Sequence, residues 1–213
     1  MKSQILSELI ALIFSEKPRH SEVIFIHAWG DLFEEILAHA AKMYKQCAAK
    51  YIVLNGLENY ELYKPGFSDW KDSLTKNYGV SREMILAINP AYNTGEEARE
   101  LMNFIAARQI KSVLIISVPQ HIIRAFLTDL GAMCEKGLSL DLNCSTFDHV
   151  AWHEKIEVES DSPGGSQEIT TRLGRFGSEI LRIIEYRKAV EEGNKNFVIA
   201  SIEEGLMYLK RKK

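Results

Sequence analysis

The sequence predicts an α/β fold: a three-layer sandwich with a mainly parallel five-stranded sheet flanked by helices. Three observations carry this. Short β-branched apolar runs recur, among them Val23-Ile24-Phe25-Ile26, Tyr51-Ile52-Val53-Leu54 and Ser112-Val113-Leu114-Ile115-Ile116. Stretches with helical periodicity lie between them. Each run ends in a polar turn that opens the next helix. Continuous apolar runs suit strands buried on both faces. Strands alternating with helices imply parallel pairing through right-handed crossovers.

The elements follow in order. Residues 2–14 place Ile5, Leu6, Leu9, Ile10, Leu12 and Ile13 largely on one side at helical spacing, an amphipathic helix. Glu8 interrupts its apolar run and no small-residue cleavage site follows, so it does not read as a secretory leader. Strand 23–26 ends in His27-Ala28-Trp29-Gly30-Asp31, and residues 32–47 form a helix with Phe33, Ile36, Leu37, Ala40, Ala41 and Tyr44 on one face. Strand 51–54 closes at Asn55-Gly56. A long loop with Tyr60, Tyr63, Phe67 and Trp70 then leads to a helix over 69–79, stopped by Gly79. Met84 to Ile88 is the third strand, 112–116 the fourth and 139–144 the fifth, whose alternation suggests an exposed edge. Residues 145–158 fit no pattern. Glu159 to Gln167 is a flexible loop by composition, 168–192 one long helix, and about 197–210 a last helix.

A chain of 213 residues is one domain with appendages. The division is an amphipathic helix over 1–17 packed on the domain, the main domain over 22–192, and a C-terminal helix with a basic tail over 193–213. A net charge of −3 gives no electrostatic footprint for nucleic acid, and the terminal Lys210-Arg211-Lys212-Lys213 reads as a solvated tail. Cys47, Cys134 and Cys144 have no paired spacing and read as buried small apolar residues. No segment is apolar enough over a sufficient length to span a membrane, so the expectation is a cytoplasmic protein. A homo-oligomer remains open.

Ligands of open parallel sheets sit beyond the carboxyl ends of the strands, near the switch in strand order. That makes 27–31, 55–70, 89–94, 117–121 and 144–150 the candidate loops. Thr94-Gly95-Glu96-Glu97 has capping-box spacing, so Thr94 and Glu97 read first as caps, and Asn93 as the better ligand contact. His121 and Arg124 are three apart and share one helix face, with Ser117 just before them. Arginine offers a planar fork for phosphate or carboxylate, and histidine moves a proton near neutral pH. The same pair also reads as a structural ion pair. Asp31 either caps a helix or holds a ribose hydroxyl or metal. Trp29 either stacks on a flat ligand or packs, and Asn55 is a further ligand contact. The first loop lacks the G-x-G-x-x-G dinucleotide fingerprint, so the cofactor is unknown. His149 and His153, four apart, would share a helix face, a weak metal motif.

The motifs Asn93-Thr94-x-Glu96-Glu97-Ala98 and Ser117-x-x-x-His121-x-x-Arg124-Ala125 resemble the YdcF/SanA/ElyC-like bacterial family, built on a domain of unknown function. Glu179 to Glu192 also looks like that family's late helix, and the resemblance extends loosely over residues 22–190. The chain departs from the pattern in three places. It has His27-Ala28-Trp29-Gly30-Asp31 for a glycine-rich turn, Asn55-Gly56-Leu57 for S-G-G, and Ala91 for a serine. It therefore resembles a divergent member. The resemblance implies a Rossmann-like sheet with a pocket at the strand ends. Members have been linked to S-adenosylmethionine and to envelope processes.

The first functional expectation is a domain that binds a small anionic or nucleotide-like metabolite, S-adenosylmethionine being the ligand class the resemblance suggests. Arg124 and His121 would meet the anionic part, Asn93 would orient it, and the 57–70 aromatics would cover it. His121 is the acid/base if catalysis occurs. A second expectation is a non-enzymatic interaction or regulatory protein that dimerises through its terminal helices. A third is metal-dependent hydrolysis around Asp31, His121 and the acids and histidines of 148–153.

Overall fold

The computed structural model describes residues 2–15, 17, 19–27, 32–47, 49–58, 65–159 and 167–212. The strands are β1 (Val23–Ile26), β2 (Tyr51–Asn55), β3 (Ile85–Ile88), β4 (Ser112–Ile116), β5 (Asp141–Ser145), β6 (Lys155–Glu159) and β7 (Gln167–Thr171). The helices are α1 (Lys2–Ser15), α2 (Phe33–Gln46), α3 (Phe67–Tyr78), α4 (Thr94–Arg108), α5 (Ile122–Glu135), α6 (Arg172–Glu191) and α7 (Ile202–Arg211).

Five strands form one sheet in the order β3-β2-β1-β4-β5, and every pair in it is parallel. This is a Rossmann-like three-layer sandwich. The chain builds outward from β1 to β3, then crosses back to place β4 on the other side of β1. The switch point therefore lies between β1 and β4, in register from Val23 opposite Val113 to Ile26 opposite Ile116.

Side chains along β1 alternate between two cores, as the pleat requires. Val23 and Phe25 face a core with Leu9 and Ile13 of α1, Leu101 and Ile105 of α4, Ile123 and Phe126 of α5, Ile183 of α6 and Leu209 of α7. Ile24 and Ile26 face a second core with Ile36 and Leu37 of α2 and Trp70 and Leu74 of α3. Burial on both faces is why the strands read as unbroken apolar runs. Helix α5 lies deep in the first layer, with Ile122 to Leu130 buried without a break.

Several sequence expectations are corrected. The long helix read over 168–192 begins only at Arg172, because 167–171 is β7, paired antiparallel with β6. Thr170 and Thr171 are β-branched, and the Thr171 hydroxyl accepts from Gly174 N at 3.0 Å, which caps α6 there. Residues 155–158, left without a pattern, and Glu159, read as loop, are the other hairpin strand. The hairpin is held by Arg172 N donating to Glu154 O and by Trp152 against Phe176, which in turn meets Phe14 of α1. The loop read over 159–167 falls largely outside the described residues.

The terminal helices pack on each other. Lys210 pairs with Glu8 at 2.6 Å, and a β-carbon on Gly205 would come 3.6 Å from Leu9 Cδ1. Part of their apolar faces is thus used within the chain, with Leu9, Ile13 and Leu209 buried in its core. The tail is not simply solvated, since Lys212 Nζ bonds Asp141 and the Leu142 carbonyl and ties α7 to β5. Cys47 and Cys144 are buried as expected, but Cys134 is exposed. Among the described residues no helix is long and apolar enough to cross a membrane.

Candidate functional site

At the carboxyl end of β1, His27 is wholly buried between two helices. Its Nδ1 lies 2.9 Å from Glu97 Oε2 on α4, and its Nε2 lies 2.8 Å from Asp129 Oδ2 on α5. Two carboxylates on opposite ring nitrogens favour the imidazolium, which donates to both. Burial alone would lower the His27 pKa, but the charges and hydrogen bonds of Asp129 and Glu97 outweigh it and raise it to about 10. Burial pushes the Asp129 carboxyl up, against the pull of His27, and its Oδ1 has no partner among the described residues.

Asn55, at the end of β2, extends this network. Its Nδ2 donates to Glu97 Oε1 at 2.9 Å and to Ala91 O at 2.7 Å, while its Oδ1 accepts from Leu57 N and Ala91 N. The side chain therefore clamps the loop after β3 onto the end of β2. Ser117, buried after β4, reaches the His27 carbonyl only at 3.5 Å, and its own carbonyl accepts from Thr146 Oγ1 at 2.8 Å.

A second network lies beside the first, with the rings of His27 and His121 6.1 Å apart. Its centre is Glu179 of α6, which is almost wholly buried. Glu179 Oε2 accepts from His121 Nδ1 at 2.8 Å and from Arg124 Nε at 2.5 Å. Its Oε1 accepts from Arg182 Nη1 at 3.1 Å and pairs with Arg175 Nη2 at 3.3 Å. Burial would raise the Glu179 pKa, but His121 and Arg124 outweigh it and hold the carboxyl down at about 2. For His121 burial and the Arg124 charge win, and its pKa falls to about 3. Near neutral pH the ring is uncharged beside an ionised carboxylate.

Arg124 also donates from Nη1 to Thr94 Oγ1 at 3.2 Å, in the first turn of α4. The roles expected at that turn are exchanged. Asn93 is the cap, its Oδ1 accepting from Glu96 N at 3.0 Å, and Glu96 accepts from Tyr92 N at 2.7 Å. Asn93 is exposed. Thr94 instead faces Arg124, and Glu97 turns inward to His27 and Asn55 rather than back to the helix start.

The structure thus brings Thr94, Ser117, His121, Arg124 and Asn55 to the carboxyl ends of β1, β2 and β4. Trp29, Asp31, Tyr60 and Tyr63 lie outside the described residues. Trp70, expected to cover a ligand, is a core residue: its ring meets Phe33 at 4.6 Å and its Nε1 donates to Pro65 O at 2.9 Å. His149 and His153 do not share a helix face, because residues 146–154 form no helix and His149 has φ 68°. Among the described residues no group of three His, Cys, Asp or Glu side chains is placed to hold a metal ion. The one histidine and two acids at His27 show this arrangement, with Glu97 and Asp129 on opposite ring nitrogens rather than converging on one point.

Sequence reasoning missed His27, Glu97, Asp129, Glu179, Arg175 and Arg182 as members of these networks. A partial signal existed on α6, where Arg175, Glu179 and Arg182 stand at i, i+4 and i+7 and so share a face.

Fold and site together define a doubly wound α/β protein with two buried ionic networks at its switch point. The chain matches no protein-family model, and no curated protein matches it.

Proposed function

We propose that the carboxyl ends of β1 and β4 bind a small anionic or nucleotide-like metabolite, with Arg124 as its anchor. The observation that carries this is the position of the Arg124 guanidinium. It spans from Glu179 to the Thr94 hydroxyl at the first turn of α4, beside the switch point where sheets of this order take their ligands. A planar guanidinium, a hydroxyl and a helix start suit phosphate or carboxylate oxygens. The placement of Thr94 against Arg124 supports kinship with the YdcF-like family, because the two motifs that carry the resemblance meet there. S-adenosylmethionine is accordingly one probe of the site.

The test is calorimetric titration and thermal shift with inorganic phosphate, AMP and S-adenosylmethionine. A ligand at a hundredfold excess over its Kd stabilises the fold by about 2.7 kcal/mol. We expect at least one probe to bind the wild type and to lose most of its affinity in Thr94→Val and Arg124→Ala. Equal binding by all three proteins removes Arg124 and Thr94 from the site.

A second reading, an interaction protein, rests on a different observation. Leu173, Leu181 and Ile184 of α6 are exposed at 60%, 61% and 55% and fall on one stripe of the helix. Light scattering on Leu181→Glu tests it: a drop from a larger assembly to a monomer favours this reading, and an unchanged mass removes it.

A further inference from the structure

The chain also holds a pocket of about 360 Å³ that no member of either ionic network lines. It lies between the C-terminal turns of α5 and α6, residues 193–200 and the start of α7. Helix α5 runs about 20 Å at 1.5 Å per residue, from Ile122 beside the networks to Glu135 at the pocket, so the two places are distinct. The walls are fixed by contacts within the chain. Gly131 of α5 lies so close to the 199–200 backbone that a β-carbon there would stand 2.7 Å from the Ile199 carbonyl carbon, and Ala200 N donates to Leu127 O at 2.9 Å. Arg99 of α4 donates from Nη2 to Lys195 O at 2.9 Å and to Phe197 O at 3.3 Å. Arg187 of α6 donates from Nη1 to Ile199 O at 3.2 Å. Residues 195–200 are thus held from three helices, and the pocket is preformed. Its volume suits a small molecule.

The lining says which kind. Two cations, Arg187 and Lys195, and two carboxylates, Glu135 and Glu204, share it with apolar Phe197 and Val198. Bonds within the chain use only part of this charge. Glu135 Oε2 accepts from Arg99 Nε at 3.0 Å, and Glu204 Oε2 accepts from Ser201 N at 2.6 Å and from Arg187 Nη1 at 3.3 Å. Among the described residues Lys195 Nζ and Arg187 Nη2 bond no group. An anion alone would face Glu135 and Glu204, a cation alone would face Arg187 and Lys195, and a purely apolar molecule would strip water from all four. A molecule with one charge of each sign and an apolar body meets every group. We propose that this pocket binds a zwitterion with an apolar side chain, of the α-amino acid class, its carboxylate on Lys195 and Arg187 and its ammonium on Glu135. The carbonyls at the C-terminal end of α5 add negative potential on the Glu135 side. The apolar side chain packs on Phe197 and Val198. Cys134 lines the same pocket and is exposed. Partial burial and the Glu204 charge raise its thiol pKa, so near neutral pH it reports occupancy and is not a reactant. None of this depends on anion binding at Arg124.

Titration calorimetry and the alkylation rate of Cys134, followed by mass spectrometry, test this on the full chain. The probes are the free amino acids leucine and phenylalanine, leucinamide, which lacks the carboxylate, and N-acetyl-leucine, which lacks the ammonium. We expect the free amino acids to slow Cys134 alkylation several-fold. Each blocked probe should bind about tenfold more weakly than leucine, or weaker still, as loss of one charged contact implies. Lys195→Ala should narrow the gap between leucine and leucinamide, and Glu135→Gln the gap between leucine and N-acetyl-leucine. Both positions are exposed, so neither variant should disturb the fold. No heat and no protection of Cys134 with either free amino acid at millimolar concentration overturns the proposal. Equal binding of leucine and its two blocked forms overturns the zwitterion requirement. Gaps that stay unchanged in both variants remove Lys195 and Glu135 from the site and overturn the placement of the ligand.

Discussion

Replacing His27 by glutamine removes the one cation between two buried carboxylates. Glu97 and Asp129 are then left near each other with side chains 9% and 0% exposed. Asn55 still serves Glu97, but no charged donor among the described residues replaces the imidazolium at Asp129 Oδ2. Removing one partner from a buried pair typically costs about 3–5 kcal/mol. A chain of this size shifts its midpoint by about 2–4 °C per kcal/mol, so a drop of about 10 °C is expected. The loss should also depend on pH. The folded pKa of His27 is raised from 6.5 to about 10, so its stabilisation is fully present below pH 6.5 and is lost as pH rises through 10. Between those limits the wild type loses up to about 1.4 kcal/mol per pH unit from this group, which the variant does not. Urea unfolding of both proteins from pH 5 to 10 gives the comparison. A gap that is widest near pH 6 and narrows toward pH 10 bears out the imidazolium. A gap below about 1 kcal/mol at pH 6, or one that does not change with pH, refutes it.

Other expectations follow from the same contacts. Burial and the Arg124 charge lower the His121 pKa to about 3, and burial and the Lys42 charge lower that of His39 on α2 to about 4, so their stabilisation is present above pH 6.5 and lost as pH falls through those values. Set against His27, this gives a wild-type stability maximum near pH 6.5, and a monotonic denaturation midpoint across pH 4 to 10 would contradict it. Asn93→Ala should cost about 1 kcal/mol through loss of the α4 cap without altering ligand affinity, whereas Thr94→Val should do the reverse. Gly131→Ala places a β-carbon 2.7 Å from the Ile199 carbonyl carbon and 2.8 Å from Ala200 N, a backbone clash that should cost about 1–3 kcal/mol in urea unfolding. Cys134 should react first with a thiol reagent, with Cys47 and Cys144 protected until the chain unfolds, as mass mapping of the labelled sites will show.

The layered fold was legible because its determinants are local. Unbroken runs such as Val23 to Ile26 announce strands buried on both faces, and Gly79 marks the end of α3, where it sits with φ 69°. The switch point followed from the strand and helix rhythm without any knowledge of contacts. The hairpin of β6 and β7 was not legible, since Arg172 to Glu191 carries a helical pattern that runs back smoothly into Ile169. Only pairing with residues 155–159 decides that Ile169 is in a strand. Cap assignment at Thr94 failed for a related reason. Asn93 and Thr94 both cap well, and the choice is made by Arg124, which is distant in sequence and draws the Thr94 hydroxyl away. Glu97 reads as a polar first-turn residue, yet a histidine just after β1, seventy positions earlier, makes it a buried one. His121 and Arg124 were visible as a pair, but Glu179, which fixes the chemistry of both, lies fifty-five or more positions away.

The packing of α1 on α7 has a consequence for how the chain is made. Leu9 and Ile13 are buried in a core that includes Leu209, and Glu8 meets Lys210. Helix α1 therefore leaves the ribosome nearly two hundred residues before its docking surface exists. Contacts of such sequence separation form late, after the loop they close has already been ordered. Until α7 is made, the apolar stripe of α1 lacks the Leu209 and Lys210 contacts it has in the folded chain. The completed α7 then covers that stripe and, through Lys212, secures the edge of β5 in the same step.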